Sequence, residues 1–351
     1  MPRKITIKRY RAGSGGWGSL RSLAKILWRE KVPPVATIDT LMHQNKTGGF
    51  MCVSCAWPKP AEPHPFEFCE NGAKATAWET TSLRCGPEFF ARHTLAELRD
   101  WPDHDLEQQG RLTHPLRYDR AQDKYVAATW DDAIAAIGAE LKALRELDRK
   151  SVVFYASGRA SLETSYAWAL LARMYGNNNL PDSSNMCHES TSVGLKQSLG
   201  VGVGTCILED FRLTDCILLF GQNAPTNSPR FLHDLQQAAR RGVPILVFNP
   251  LREGGLEKFR NPQHPLEMLT GHSTQIASHW YQVRAGGDIA AITGIAKAVL
   301  ALDDDAQRTG AARVLDLPFI REHTHGFGDY ESHVRATTWG AIENESGLSR
   351  A

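Results

Sequence analysis

The feature that most constrains this chain is an alternation of short apolar runs with amphipathic ones, beginning after Gly110 and continuing to about residue 302. Residues 130–147 repeat Ala133, Ile134, Ile137, Leu141 and Leu144 at helical spacing, and 151–156 (SVVFYA) then reads as a short buried strand. Gly158 breaks that strand, and 161–175 reads as a helix ended by Gly176. Further on, 215–220 (DCILLF) and 244–248 (PILVF) read as strands on either side of a helix at 229–241. A short strand at 280–284 follows, and Asp288 can cap a helix running to about Leu302. Strand and helix in turn, joined by Gly, Asn and Pro loops, predict an α/β fold built on a parallel sheet. The end is abrupt: 339–345 starts a helical pattern, and SGLSRA resembles the opening of another helix.

Residues 1–108 have a different character, rich in Gly, Pro, Trp and Cys with little sustained periodicity. Such a segment buries too little apolar surface to hold itself together, and a bound metal centre would supply the missing constraint. Its cysteines have the spacing for one: Cys52-x2-Cys55, then Cys69 and Cys85. A CxxC turn places two thiolates on one side of a tight loop, which suits tetrahedral zinc or one edge of an iron–sulfur cube. The spacing fits neither a standard zinc ribbon nor the usual ferredoxin run, so both metals, and a redox-active CxxC, stay open. Cys85 is the least marked of the four; Gly86-Pro87 after it would fit a turn.

A second thiol stands out. Cys187-His188 precedes the run 192–199, which can form a short helix ended by Gly200. A cysteine at a helix amino terminus is a good thiolate ligand or nucleophile, and a neighbouring histidine can move protons near neutral pH. The bland alternative is a structural thiol beside a surface histidine. Cys206 and Cys216 keep that structural reading.

The composition excludes several classes. With 40 Lys plus Arg against 39 Asp plus Glu and no basic run, the chain lacks the footprint of a nucleic-acid binder. The first 25 residues lack the apolar core of a secretory signal, and no run of 18 apolar residues predicts a membrane span. Arg240-Arg241 lies inside a helix-like segment and is no export signal. The expected address is cytoplasmic, where thiols stay reduced and motif-spaced cysteines point to metal or catalysis.

In open parallel sheets, ligands sit beyond the carboxyl ends of the strands, where backbone amides and helix amino termini accept phosphate. Three strand ends carry polar clusters here: 221–227 (GQNAPTN), 249–253 (NPLRE) and Gly286-Gly287-Asp288. None is GxGxxG, which argues against a simple nicotinamide Rossmann domain. Any one could be an ordinary loop, whereas three in register point to an elongated, nucleotide-like ligand.

These pieces, in this order, resemble one family across nearly the whole chain: the formate-dehydrogenase-like, YdeP-type branch of the bis-molybdopterin guanine dinucleotide oxidoreductases. The motifs that carry the resemblance are GGWG (15–18), CVSCAWP (52–58), CENGAKA (69–75) and GRLTHPLRYD (110–119). SGRAS (157–161), NMCHESTSVGLKQSLGVG (185–202), FGQNAPTNSPR (220–230) and NPLREGGLEKF (249–259) follow.

The resemblance implies a small irregular iron–sulfur domain over 1–108 and the first part of a split α/β domain over 109–183. A Rossmann-like cofactor domain over 184–340 would follow, then the start of a truncated segment at 341–351. It also implies the ligands and roles. Cys52, Cys55 and Cys69 would hold a [4Fe–4S] cluster, with Cys85 near the place of the fourth ligand. Cys187 would supply sulfur to molybdenum or tungsten, and His188 would handle the substrate proton. Ser157, Arg159 and Asn185 would touch the bis-molybdopterin guanine dinucleotide cofactor. Gly221, Asn223, Thr226, Asn249, Pro250, Arg252, Gly287 and Asp288 would bind one of its dinucleotide arms. The implied partners are a small-molecule substrate, with formate as the candidate, and an electron-acceptor protein or subunit.

Three departures qualify this. Formate dehydrogenases commonly carry a Lys just after the fourth cluster cysteine, where Gly86-Pro87 stands here. Asn249 stands where relatives often have Asp, and the substrate-orienting Arg would lie beyond Ala351. Two other functions compete: a non-catalytic zinc and nucleotide binding module on the same fold, and a nicotinamide-linked dehydrogenase. The linked Cys187-His188 pair favours the molybdenum oxidoreductase.

Overall fold

The structure, a computed structural model, describes residues 12–55, 57–181 and 183–350. The chain divides into two compact units, Met1–Trp17 with Glu209–Ala351, and Gly18–Leu208.

The first unit contains the parallel sheet. Its strands are Ile217–Phe220, Ile245–Phe248 and His279–Tyr281, with Ile245–Phe248 in the middle and both pairings parallel. The expected strands at 215–220, 244–248 and 280–284 are thus present, each with slightly different ends. Ile245 and Val247 of the middle strand are fully buried. Helix Phe231–Arg240 crosses over between the first two strands and buries Phe231, Leu232, Leu235 and Ala238. Helix Asp288–Thr309 runs about two turns past the expected Leu302 and stops where Gly310 takes the left-handed conformation. Its Gly294 permits close approach of helix Trp339–Ser346: a Cβ there would lie 3.0 Å from Ile342 Cγ2.

The strands end on a ladder of aromatic rings. Phe220 stacks on Phe248 at 4.5 Å, and Phe248 on Tyr281 at 4.8 Å. Phe248, Val283 and Ala291 form a buried cluster just beyond, against which Phe220, Leu246 and Leu348 pack. Leu348 corrects one expectation, because residues 346–350 do not open a new helix. Gly347 ends the helix Trp339–Ser346 with φ +74°, and Leu348 turns into the core beside Phe248. Leu348 is half-buried against that cluster, and continuing as an exposed helix would cost the chain this contact.

A smaller sheet in the same unit explains the GGWG motif. Ser14–Gly15 pairs parallel with Lys258–Arg260, which pairs antiparallel with Thr274–Gln275. Gly15 has φ +82°, and a Cβ on it would fall 2.5 Å from the Arg260 carbonyl oxygen, so only glycine fits. Trp17 Nε1 donates to the Met268 carbonyl at 3.0 Å.

The second unit is more ordered in its early part than the sequence suggested. Helices Pro34–His43 and Glu70–Glu79 surround the first cysteines. Strand Arg84–Cys85 pairs parallel with Arg111–Leu112, and Leu116–Asp119 forms a hairpin with Lys124–Ala127. Helix Trp130–Asp148 starts at a Thr129 cap, and helix Leu162–Tyr175 starts at Ser161 and ends at Gly176, as its pattern predicts. The strand expected at 151–156 forms no ladder among the described residues: Ser151 ends a 3-10 turn, 152–155 carry no regular structure and Ala156 makes one bridge. Its polar groups are served by a turn: Phe154 N–H donates to the Asn179 carbonyl, and Asn177 Nδ2 donates to the Val152 carbonyl at 2.6 Å. Phe154 itself is buried with Ala172 and Tyr175.

One close approach in the first unit generates a stability prediction. A Cβ on Gly255 would lie 2.1 Å from Pro225 Cγ, joining the turn after the middle strand to the loop after the first. A proline ring cannot swing away as a flexible chain could. Gly255→Ala is therefore expected to destabilise the protein by about 1–3 kcal/mol, the usual cost of overpacking. A urea midpoint unchanged within error would contradict this packing.

Candidate functional site

The cysteine segment is organised by two buried amides. Asn45 adopts φ +60° and uses its whole side chain locally: Oδ1 accepts from the Cys52 N–H at 3.0 Å, and Nδ2 donates to the Glu67 carbonyl at 2.8 Å. The backbone N–H of Asn45 donates to the Phe50 carbonyl at 2.7 Å, closing the Gly48-Gly49 turn. Gln44, fully buried, donates through Nε2 to the Gly72 carbonyl at 3.3 Å, while its Oε1 is buried without a hydrogen-bond partner.

Cys69 caps helix Glu70–Glu79, its sulfur accepting the Gly72 N–H at 3.4 Å. Cys52 Sγ accepts the Ser54 N–H at 3.3 Å. Gly72 leaves a cradle between these groups: a Cβ there would stand 3.0 Å from Cys52 Sγ, 3.1 Å from Gln44 Nε2 and 3.7 Å from Cys69 Sγ. Burial pushes the Cys69 thiol up to about 11; the Gly72 N–H lowers it, and the nearby charges of Cys52 and Cys55 raise it further. Among the described residues, no three Cys, His, Asp or Glu side chains are gathered tightly enough to hold one metal ion.

Cys85 lies elsewhere in the same unit. It is buried with Phe90 and Leu98, in a cluster extended by Phe89, Trp101, Leu106, Leu116 and Tyr125. Burial pushes its thiol up.

Cys187 and His188 occupy a junction between two helices. Cys187 ends Ser183–Cys187, and His188 is the residue from which Glu189–Leu199 starts, three residues earlier than the sequence suggested. Both side chains are exposed, and Asn185 Nδ2 bonds Glu189 Oε2 at 2.9 Å across the junction. Ser157 and Arg159 are also exposed, on a turn where Ser157 Oγ accepts the Arg159 N–H at 3.2 Å.

In the first unit, parallel pairing brings the three strand-end loops to one edge of the sheet. Gly221 turns out of its strand at φ +62° with open space around it, and Asn223 caps the short helix Ala224–Asn227 by accepting the Thr226 N–H. Asn249 is buried; its Oδ1 accepts the Leu251 N–H at 3.3 Å. The Pro250 carbonyl accepts from Gln282 Nε2 at 2.8 Å, and Arg252 pairs with Glu257 and lies 6.0 Å over the Trp280 ring. Gly287, buried against the Glu345 carbonyl, precedes Asp288 in the first turn of the longest helix.

Sequence reasoning missed Gln44, Asn45 and Gly72. The Gly48-Gly49 pair and the glycine of CENGAKA were the available signals, but which polar side chains a turn buries depends on contacts distant in sequence.

Comparison with known proteins places these features in context. Residues 111–301 match the family described as Molybdopterin oxidoreductase. Protein YdeP of Escherichia coli is 45% identical over 347 residues, covering 99% of this chain and 45% of that protein. An uncharacterized oxidoreductase of Mycobacterium tuberculosis is 39% identical over 323 residues, covering 92% of this chain and 41% of its own length. The chain thus spans less than half the length of these relatives. Acetylene hydratase from Pelobacter acetylenicus shares the fold, with a TM-score of 0.56 at 17% identity over 86% of this chain and 37% of that one. The family match covers more than half of the 351 residues, and the chain belongs to the molybdopterin oxidoreductase family, in its YdeP-like branch.

Proposed function

We propose that this chain is part of a molybdopterin-dependent oxidoreductase of the formate-dehydrogenase-like kind, passing electrons from a Cys187-ligated metal to an iron–sulfur cluster. The observation that carries the reading is the family match over 111–301, which takes in both Cys187 and the three strand-end loops. The cofactors are bis-molybdopterin guanine dinucleotide with molybdenum or tungsten, and a [4Fe–4S] cluster. When bound, the metal centre supplies two-electron chemistry and the cluster single-electron transfer.

The residues have the chemistry for these roles. The cradle at Gly72 sets two sulfurs around one point and gives each a backbone N–H, the kind of hydrogen bond that stabilises thiolate charge on a cluster. Cys187 is proposed as the protein ligand of the metal and His188 as the group that takes and returns the substrate proton. Both are exposed, as groups that must meet a cofactor or substrate need to be.

The exposed residues Ser157 and Arg159, on a turn, and Asn185, in helix Ser183–Cys187, are proposed to touch the cofactor. The amides and side chains at Gly221, Asn223, Thr226, Asn249, Pro250, Arg252, Gly287 and Asp288 are proposed to bind a dinucleotide arm. The proposed divisions are an iron–sulfur region over 1–108, split α/β sequence over 109–183 and a cofactor domain over 184–340. A small molecule, with formate as the candidate, would be the substrate, and an electron-acceptor protein or subunit the partner. No helix among the described residues is long and apolar enough to cross a membrane.

Metal analysis of anaerobically prepared protein should give roughly four iron and four labile sulfide per chain. Cys52→Ser should abolish both, and stoichiometric zinc without iron would refute the cluster assignment. In cofactor-loaded protein, Cys187→Ala should eliminate turnover while the iron–sulfur spectrum persists. His188→Ala should keep the molybdenum or tungsten but slow turnover by roughly 10² to 10⁴, the range for losing a general acid or base. Turnover per metal-loaded, folded molecule is the measurement; near-wild-type turnover of Cys187→Ala on that basis would sink the assignment.

A further inference from the structure

The resemblance puts Cys52, Cys55 and Cys69 on the cluster and Cys85 near the place of a fourth ligand, and the surroundings of these thiols differ. Cys52 and Cys69 share the Gly72 cradle, and Cys55 stands three residues from Cys52, near enough for its charge to reach Cys69. Each sulfur at the cradle already receives a backbone N–H. A methyl group at position 72 would occupy the space beside both sulfurs, so the glycine keeps that space open.

Cys85 has none of these features. It belongs to a two-residue strand held by pairing with Arg111–Leu112, which restrains its backbone. Its side chain is 6% exposed, and the cluster around it is aromatic and aliphatic: Phe90, Leu98, Phe89, Trp101, Leu106 and Leu116. An apolar wall of this kind suits a neutral thiol, which behaves as a small hydrophobe, and opposes a charged thiolate. A cluster ligand at this position would have to carry its negative charge against this apolar packing. At the cradle, by contrast, one polar atom is left over, because Gln44 Oε1 is buried with no hydrogen-bond partner.

We propose that three protein thiolates, Cys52, Cys55 and Cys69, hold the cluster, that one iron corner has no cysteine, and that Cys85 is a core thiol. This rests on the cluster assignment made above. An iron without a thiolate is the most easily lost. Oxidation by ferricyanide removes it in a balanced step: [4Fe–4S]²⁺ gives [3Fe–4S]⁺, one Fe²⁺ and one electron, which reduces ferricyanide to ferrocyanide. Added Fe²⁺ and dithionite reverse the change.

The test uses anaerobically prepared, iron-loaded protein. Cys85→Ala and Cys85→Val, the latter refilling the apolar site, should keep the wild-type iron content per folded chain and the wild-type paramagnetic resonance spectrum after reduction. Cys52→Ser, Cys55→Ser and Cys69→Ser should each lose the cluster. Wild-type protein treated with one equivalent of ferricyanide should release one iron per cluster and show the near-isotropic signal of a three-iron centre, reversed by Fe²⁺ and dithionite. Loss of iron from folded Cys85→Ala or Cys85→Val, or breakdown of the wild-type cluster with no reversible three-iron form, would overturn the three-thiolate site. Wild-type protein without iron would instead refute the underlying cluster assignment, so the two failures are distinguishable.

Discussion

Parallel pairing of three very short strands is the constraint on which the first unit depends. Strands of three or four residues form few ladder hydrogen bonds, so the ladder cannot stabilise itself. Helix Phe231–Arg240 buries an apolar face between the first two strands, and the ring ladder Phe220–Phe248–Tyr281 closes the carboxyl edge. Because pairing is parallel, every strand delivers its following loop to that same edge. The rings give those loops a rigid base, and Gly221 and Asn249 begin their turns directly from it. A site made of backbone amides needs this arrangement, since amide direction is fixed only when the turn beneath cannot tilt.

In the second unit the same need is met without a sheet. Asn45 and Gln44 are two consecutive buried amides that tie the Cys52 turn to the start of helix Glu70–Glu79. Cys69 then serves as a helix cap, a position usually held by Ser, Thr, Asp or Asn. A sulfur is a weak acceptor, so a thiol is a poor cap by itself. A thiolate bound to metal is a better one, because the N–H groups of the first turn then face negative charge. The cap geometry and the proposed ligand role therefore support one another, and both depend on Gly72.

Much of the α/β organisation was legible in the sequence because its signals are local. Apolar runs fixed the strands after residue 210, and Ser161, Gly176 and Gly200 ended or began helices where their chemistry requires. What was not legible depended on partners far along the chain. The segment 151–156 has a strand's composition but forms no ladder among the described residues, and Asn177 and Asn179 take several of its backbone groups instead. Leu348 lies in a helix-like run, yet burial against Phe248 and Val283 outweighs that weak propensity. Among the candidate site residues, the CxxC turn and Cys69 stand out because both lie on short sequence motifs, and their proposed role as ligands comes from the family resemblance. Spacing cannot distinguish Cys85 from them, because a core thiol and a ligand look alike until their surroundings are known.

Asn249 illustrates how one residue's local duty limits its chemical one. Its carboxamide oxygen accepts the Leu251 N–H, and its own N–H donates to the Tyr281 carbonyl, so it ties the turn to the neighbouring strand. The side chain is buried, and an aspartate in this place would be charged beneath a turn with a single N–H facing it. Desolvating that charge would raise its pKa and make the turn sensitive to pH, unless a bound hydroxyl or cation supplied further hydrogen bonds. Asparagine avoids the dependence: the turn keeps its shape with or without a ligand, at any pH near neutrality. The cost falls on recognition. A carboxamide lacks the paired acceptors with which a carboxylate grips a ribose diol. For the dinucleotide arm proposed to bind at this edge, recognition would then rest more on the backbone amides of the Gly221 turn and the start of helix Asp288–Thr309 than on a single charged side chain.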